Sequence, residues 1–92
     1  MHKEIEMLAR ELDEGAALLQ KHSLAQWANW LRKDSAFVRR GDFYGIEHLL
    51  AAFGGMGSIN DLVLPDPQDD AHFRSLRSSI YAQAEALRRE QA

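Results

Sequence analysis

The stretch Phe53–Leu64, which reads FGGMGSINDLVL, decides how this 92-residue chain folds. It holds three of the six glycines within four residues, and helical patterns lie on both sides of it. Glycine adopts backbone angles that other residues avoid, so the stretch is predicted to be a loop that separates two helical halves. We expect five residues to form the structural part of this loop: Gly54, Gly55, Gly57, Asn60 and Asp61.

The second half of the stretch is predicted to return the chain to the core. Ser58 is a suitable cap for a short helical turn that starts at Ile59, and the side chains after it can bond neighbouring amides. Leu62–Leu64 is an apolar run that we expect to anchor the loop against the helices. A short strand over Ile59–Leu64 is the alternative, although a lone strand without a partner is not stable.

Two amphipathic helices are predicted before the loop. The first runs from about Lys3 to Lys21, since apolar residues recur there at intervals of three and four. Ser23 is the expected N-cap of the second helix, with Gln26 completing a capping box. Gly41 is expected to end the second helix, whose apolar stripe is predicted to be interrupted at Asp34-Ser35.

A third and a fourth helix complete the pattern. The third is predicted over Asp42–Phe53, with Asp42 as its N-cap, Gly45 allowing close packing of a neighbouring helix, and Gly54 as a left-handed C-cap. The fourth is predicted from about Asp70 to Glu90, capped by Asp69 or Asp70. The sequence therefore predicts a single all-α domain over 1–92, a small four-helix bundle with a glycine-rich loop between helices 3 and 4.

Composition limits the classes of function. The chain is 46% hydrophobic and 27% charged, contains no cysteine, and carries a net charge of −3. Its acidic balance disfavours nucleic acid as a partner, and the lack of cysteine excludes disulfides and thiolate metal sites. We find no signal peptide and no transmembrane segment, so we expect a cytoplasmic protein that does not contact a membrane.

The sequence offers little support for catalysis or for a cofactor. The glycine run lacks both the GxGxxG and the P-loop pattern. The histidines His2, His22, His48 and His72 do not have zinc-helix spacing, and only His48 lies in the predicted centre of the bundle. No spacing enforces a triad of Ser58, His48 and Asp61. We expect no enzyme, no metal and no cofactor. We also expect Arg39 or Arg40 to hold the glycine loop through a buried pair with an acidic residue.

The residues Gly41-Asp42, Gly45–Glu47 and above all Gly54–Leu62 resemble a family of small bacterial proteins of unknown function. Those proteins carry a similar GGMGS-hydrophobe-NDL segment after an apolar helix. The resemblance covers about Arg39–Leu64 and implies no catalytic residues. In size and charge, the chain is also similar to immunity proteins of bacterial toxins.

Two functional hypotheses follow. The first is a non-catalytic protein-interaction protein, an immunity protein that neutralises a cognate bacterial toxin by direct binding. Its predicted contact residues are Asp66, Asp69, Asp70, Met56 and Ser58. The alternative is a regulatory module that binds a small ligand or anion on the amides of the Gly54–Ser58 loop. A monomer and a homodimer are both compatible with either hypothesis.

Overall fold

The computed structural model of the protein describes residues 2–54 and 57–91, with the backbone alone for His2. Gly55 and Met56, which were predicted to lie in the loop, are outside the described residues. The described chain forms four α-helices and one 3-10 turn, and it contains no strand. Their bounds are α1 His2–Lys21, α2 Ala25–Arg39, α3 Tyr44–Ala51, the 3-10 turn Ile59–Asp61, and α4 Pro67–Gln91. The predicted all-α four-helix fold, with a glycine-rich loop between helices 3 and 4, is confirmed.

Helix α1 forms the centre of the core. Its apolar stripe is fully buried at Leu8, Leu12, Ala16 and Leu19, because α2 packs on one side of α1 and α4 packs on another. α3 packs on α2 and α4 and does not form a further layer. The core side of α4 recurs at intervals of three and four residues, as expected of an amphipathic helix: Phe73, Leu76, Ile80, Ala84 and Leu87.

The link between α1 and α2 differs from the prediction. Ser23 has a φ of 64°, so it lies in the left-handed region and does not have the extended backbone that an N-cap needs. The Leu24 N–H donates to the Leu19 carbonyl at 2.8 Å and the Ser23 N–H to that of Gln20 at 3.0 Å. These two bonds form a Schellman motif that ends α1. The prediction of a Ser23 capping box was wrong, and Leu24 precedes α2 without a side-chain cap.

The left-handed Ser23 leads to a stability prediction. A side chain in that conformation costs about 1 kcal/mol, whereas glycine adopts it freely. We therefore expect Ser23→Gly to raise the free energy of unfolding by roughly 0.5–1 kcal/mol in urea denaturation. Ser75→Gly, at an exposed position within α4, is the matched control and should lower it by about 0.5 kcal/mol. A loss of stability in Ser23→Gly would show that this account of the link is mistaken.

The bounds of α3 also differ in detail. α3 begins at Tyr44 and its N-cap is Phe43, so the predicted N-cap position of Asp42 was wrong by one residue. The Asp42 carboxylate nevertheless accepts the Tyr44 N–H at 3.0 Å. It ends at Ala51 and not at Phe53. Gly54 is not left-handed, so its predicted C-cap role was wrong; the described glycines with positive φ are Gly41 and Gly57.

The start of α4 is capped by a different aspartate from those predicted. α4 begins at Pro67, a residue suited to the first helical position, and the Asp66 carboxylate accepts the Asp69 N–H at 3.0 Å. Asp66 is therefore the cap, in place of Asp69 or Asp70. The Asp70 carboxylate accepts the N–H of Leu64, outside the helix, at 2.9 Å. No helix in the described chain has the length and apolar composition that crossing a membrane requires.

Candidate functional site

Two polar residues of α2 are buried where the prediction placed an interruption of the apolar stripe. Asp34 has an exposed fraction of 0% and Ser35 one of 2%. The Ser35 hydroxyl donates to the carbonyl of Ala9 on α1 at 3.4 Å and accepts a hydrogen bond from Arg39 at 2.8 Å. Two polar residues therefore do interrupt the apolar stripe at Asp34-Ser35, but the burial of this face of α2 continues through them.

Helices α2 and α3 approach closely at Gly45. A Cβ atom at Gly45 would lie 2.5 Å from the Phe37 Cβ and 3.5 Å from the Asp34 carbonyl oxygen. Only a residue without a side chain allows this separation, as the sequence predicted for Gly45. His48 follows Gly45 by one helical turn, so the same close approach places its imidazole beside α2.

The buried Asp34 carboxyl bonds the His48 imidazole. Asp34 Oδ1 and His48 Nδ1 are 2.5 Å apart, and Asp34 Oδ2 is buried without a hydrogen-bond partner among the described residues. Burial raises the pKa of the Asp34 carboxyl to about 6, against the opposing effects of His48 and of Lys33. The pair therefore joins α2 to α3 through a carboxyl group that is costly to ionise.

Five rings on α2 and α3, one of them the His48 imidazole, form a continuous row, which we call the aromatic row. Its members are Trp27, Trp30, His48, Tyr44 and Phe37. Centroid distances between consecutive rings are 5.4, 4.2, 5.8 and 5.2 Å. Trp30 stacks on His48 with an interplanar angle of 20° and donates its indole N–H to the His48 carbonyl at 3.2 Å. Tyr44 is 56% exposed, while the tryptophans and Phe37 are half-buried.

The aromatic row reaches the glycine loop at one end. Gln26, Trp27, Trp30 and Gly57 line an open groove of about 240 Å³. At the other end, the Arg40 guanidinium lies 4.9 Å from the centre of the Phe37 ring. The row thus spans the outer surface of α2 and α3, from the loop to the end of α2.

Within the loop, Asp61 and Ser58 bond the backbone as predicted. Gly57 is left-handed, with a φ of 73°, and its N–H donates to the Asp61 carboxylate at 2.7 Å. The Ser58 hydroxyl accepts the Asn60 N–H at 3.2 Å and caps the 3-10 turn, as expected. The Asn60 amide donates to the Phe53 carbonyl at 3.3 Å.

Arg77 holds the loop, and the predicted arginines do not. Its Nη1 donates to the carbonyls of Ile59 at 3.1 Å and Leu62 at 3.2 Å. Arg39 instead pairs with Glu6 and Asp13 on α1, and Arg40 lies 3.8 Å from the exposed Asp42. The prediction of an arginine–carboxylate clamp was wrong in its residues and in its chemistry.

The apolar anchor after the loop is only partly buried. Leu64 is 2% exposed and Leu62 packs against the core, whereas Val63 is 78% exposed.

The three predicted contact aspartates have partners among the described residues. Asp69 accepts from Lys21 and His22 at 2.8 Å each. Asp66 caps α4, as described above, and Asp70 lies 3.8 Å from Arg74. Ser58 is 5% exposed. Met56 lies outside the described residues.

His48 and His72 each bond a different acidic residue. His48 bonds Asp34, and His72 bonds Glu14 at 2.7 Å. Because Asp61 bonds Gly57, it does not orient His48 as a triad would require. No three potential metal-ligating side chains cluster in the part of the chain that the structure describes.

Sequence reasoning missed both the Asp34–His48 pair and the aromatic row. The sequence does contain a signal for the burial of Asp34. Intervals of four, three and four residues separate Trp27, Leu31, Asp34 and Val38. That spacing puts Asp34 on the buried stripe of α2. The row had no such signal, because it depends on which face of α3 meets α2.

Comparison with known proteins gives a family without an assigned activity. Residues 20–72 match the family described as "Domain of unknown function (DUF6966)". The match covers more than half of the chain, so the protein belongs to this family. The matched range contains α2, α3, the glycine loop and all five members of the aromatic row. A search of curated proteins found no match, and neither did a search of solved structures.

Proposed function

We propose that this protein is a non-catalytic binding protein, and more specifically an immunity protein that neutralises a cognate bacterial toxin by direct contact. The observation that carries the proposal is the aromatic row on α2 and α3. Tryptophan, tyrosine and arginine are enriched at the energetic centres of protein interfaces. The row contains two tryptophans and a tyrosine, and Arg40 lies over Phe37 at its end.

The row is also fixed before any partner arrives. Trp30 is held by stacking on His48 and by its bond to the His48 carbonyl, and His48 is held in turn by Asp34. Rings that are already ordered lose less conformational entropy on binding. An exposed ring such as Tyr44 then supplies contact area on a rigid base.

The negative charge of this chain supports a partner whose binding surface is basic. The chain carries a net charge of −3, and the exposed Glu47 and Asp61 lie on the two segments that adjoin the row, α3 and the glycine loop. The aspartates at the start of α4 add to the negative field although their carboxylates have partners within the chain. Such a field steers association with a basic active-site cleft and weakens as salt is added. We place this activity in the cytoplasm, where a cysteine-free binding protein needs no disulfide.

The anion-binding alternative has less support. The Gly57 N–H already donates to the Asp61 carboxylate, and the Ile59 N–H donates to the Ala52 carbonyl at 2.9 Å. The Asp61 carboxylate thus takes the place that an anion would take on the Gly57 amide. No contact in the described part of the loop favours an anion on its amides.

Growth protection tests the proposal. We expect co-expression of the wild-type protein to restore growth of cells that produce the toxin encoded beside its gene. Tyr44→Ala should weaken the binding about tenfold, because it removes an exposed ring from the row, and should reduce protection accordingly. Met7→Ala is the matched control, since Met7 is 49% exposed but lies on α1 beside α4 and not in the row.

Both variants should keep the melting temperature of the wild type to within a few degrees. Equal protection by Tyr44→Ala and the wild type would remove the aromatic row from the binding surface. Failure of the wild type to protect against any neighbouring toxin would refute the immunity function.

A further inference from the structure

A second groove lies between the glycine loop and α4. We call it the Arg77 groove; it measures about 340 Å³ and is lined by Phe53, Asn60, Arg77, Ser78 and Tyr81. The Phe53 and Tyr81 rings contact each other at 5.1 Å between centroids, with an angle of 57°. The groove therefore combines two aromatic rings with a cation and with polar side chains.

The guanidinium of Arg77 is fixed in position but is not neutralised. Its Nη1 donates to the carbonyls of Ile59 and Leu62, and its Cζ lies 5.5 Å from the centre of the Phe73 ring. Nε and Nη2 have no hydrogen-bond partner among the residues that the structure describes, and no carboxylate there lies within ion-pair distance of Arg77. These N–H groups can donate charge-assisted hydrogen bonds to a carboxylate or phosphate group.

The surroundings of Arg77 leave its charge incompletely balanced. Burial lowers the pKa of Arg77, and the nearby Arg74 acts in the same direction. Asp70 and Asp61 oppose this effect, but Asp70 lies near Arg74 and accepts the Leu64 N–H, while Asp61 accepts the Gly57 N–H. A negative group bound in the groove would offset the electrostatic cost of burying the charge of Arg77.

Two hydroxyl groups add donors to the same groove. The hydroxyls of Ser78 and Tyr81 have no hydrogen-bond partner within 2–54 and 57–91. A carboxylate or phosphate group accepts hydrogen bonds both from a guanidinium and from hydroxyls. The arrangement of a fixed, unpaired cation, two free hydroxyls and two rings is that of a site for an organic anion.

We propose that the Arg77 groove binds a small organic anion, whose carboxylate or phosphate group contacts Arg77, Ser78 and Tyr81 and whose apolar part lies against Phe53 and Tyr81. The site uses side chains of α4 and not the amides of the Gly54–Ser58 loop. It does not depend on the toxin-binding function, because the aromatic row and the Arg77 groove share no residue.

Chemical-shift titration of the ¹⁵N-labelled protein tests the site, with sodium phosphate and sodium benzoate as the two probes. Sodium chloride at equal ionic strength and the uncharged benzamide serve as ligand controls. We expect saturable shifts at millimolar concentrations, centred on Asn60, Arg77, Ser78 and Tyr81. Saturation by phosphate alone would identify a phosphate ligand, and saturation by benzoate alone would identify an aromatic carboxylate.

Variants show whether the anion occupies the groove. Ser78→Ala combined with Tyr81→Phe removes both hydroxyls but keeps the ring contact with Phe53, so the fold and the melting temperature should be retained. Losing two hydrogen bonds to a charged ligand should weaken binding by at least about tenfold. Ser75→Ala removes an exposed hydroxyl of α4 outside the groove and should leave binding unchanged.

Arg77→Lys gives a second measure, because lysine keeps the charge but loses the planar set of donors. It should also weaken binding, while bonds to the loop carbonyls remain available to the ammonium group. The proposal is overturned if neither anion produces saturable shifts, if sodium chloride or benzamide reproduces them, or if the groove variants bind as the wild type does.

Discussion

Replacing Gly45 with alanine is expected to lower the free energy of unfolding by about 1–3 kcal/mol, although alanine is the better helix former. The added Cβ would lie 2.5 Å from the Phe37 Cβ, which is attached directly to the backbone of α2. A flexible side chain could turn away from such a contact, but Cβ cannot. The two helices must therefore separate, and Gly45→Val should cost more than Gly45→Ala.

Separation of α2 and α3 has a second consequence. The Asp34–His48 bond and the stacking of His48 on Trp30 both cross this contact. We expect the Gly45→Ala protein to show altered tryptophan fluorescence and near-ultraviolet circular dichroism while its helix content stays the same.

Gly54→Ala provides the matched control. A Cβ at Gly54 would lie 3.8 Å from the Ala51 carbonyl oxygen, an ordinary contact, and Gly54 is not left-handed. Urea denaturation of both variants should show a loss for Gly45→Ala and a change within about 0.5 kcal/mol for Gly54→Ala. Equal stabilities of Gly45→Ala and the wild type would mean that the two helices are not held as close as described.

Replacing Asp34 with asparagine is expected to make stability less dependent on pH. Burial raises the pKa of Asp34 from 3.8 to about 6, so between these values the folded protein holds a proton that the unfolded chain has released. Stability from this group is therefore present below about pH 4 and is lost as the pH rises to about 6. The asparagine side chain carries no charge at any pH, so the variant avoids this loss.

The size of the expected stability difference follows from the shift in the pKa of Asp34. A change of about two pKa units corresponds to roughly 2–3 kcal/mol. Between acid and neutral pH, the free energy of unfolding of the wild type should therefore fall by up to this amount relative to that of Asp34→Asn. His48→Gln is the complementary variant. It keeps the buried carboxyl but removes the group that lowers its pKa, so the pH dependence should become steeper than in the wild type.

Urea denaturation at several pH values between 4 and 7 measures both effects. Parallel stability profiles for the wild type and Asp34→Asn would contradict a buried, costly carboxyl at this position. Lys33 and His48 are the charged or titratable neighbours that act on Asp34, and neither is changed in the asparagine variant.

Periodicity was sufficient to predict the helices but not their ends. The apolar stripes of α1 and α4 identify the core residues because burial follows the helical repeat directly. Each helix end depends on a single capping residue, and at the start of α4 several suitable residues lie close together in the sequence. Asp66, Asp69 and Asp70 all have suitable side chains for an N-cap, and Pro67 decides between them by fixing the first helical position.

The candidate site could be predicted only in part. Gly45 was recognised as a point of close approach because a glycine inside a helix has few other roles. Its consequence, the pairing of Asp34 with His48, requires knowing which faces of α2 and α3 meet. Arg77 was missed for a similar reason, since its partners are backbone carbonyls 15 and 18 residues away.

The most direct test of the binding function is a quantitative pull-down from the native cell lysate with three tagged proteins: the wild type, Tyr44→Ala and Met7→Ala. We expect the wild type and Met7→Ala to recover one stoichiometric partner protein that stops growth when expressed alone, and Tyr44→Ala to recover much less of it. Recovery of the same partner in equal amounts by Tyr44→Ala, or of no toxic partner by the wild type, would contradict the account.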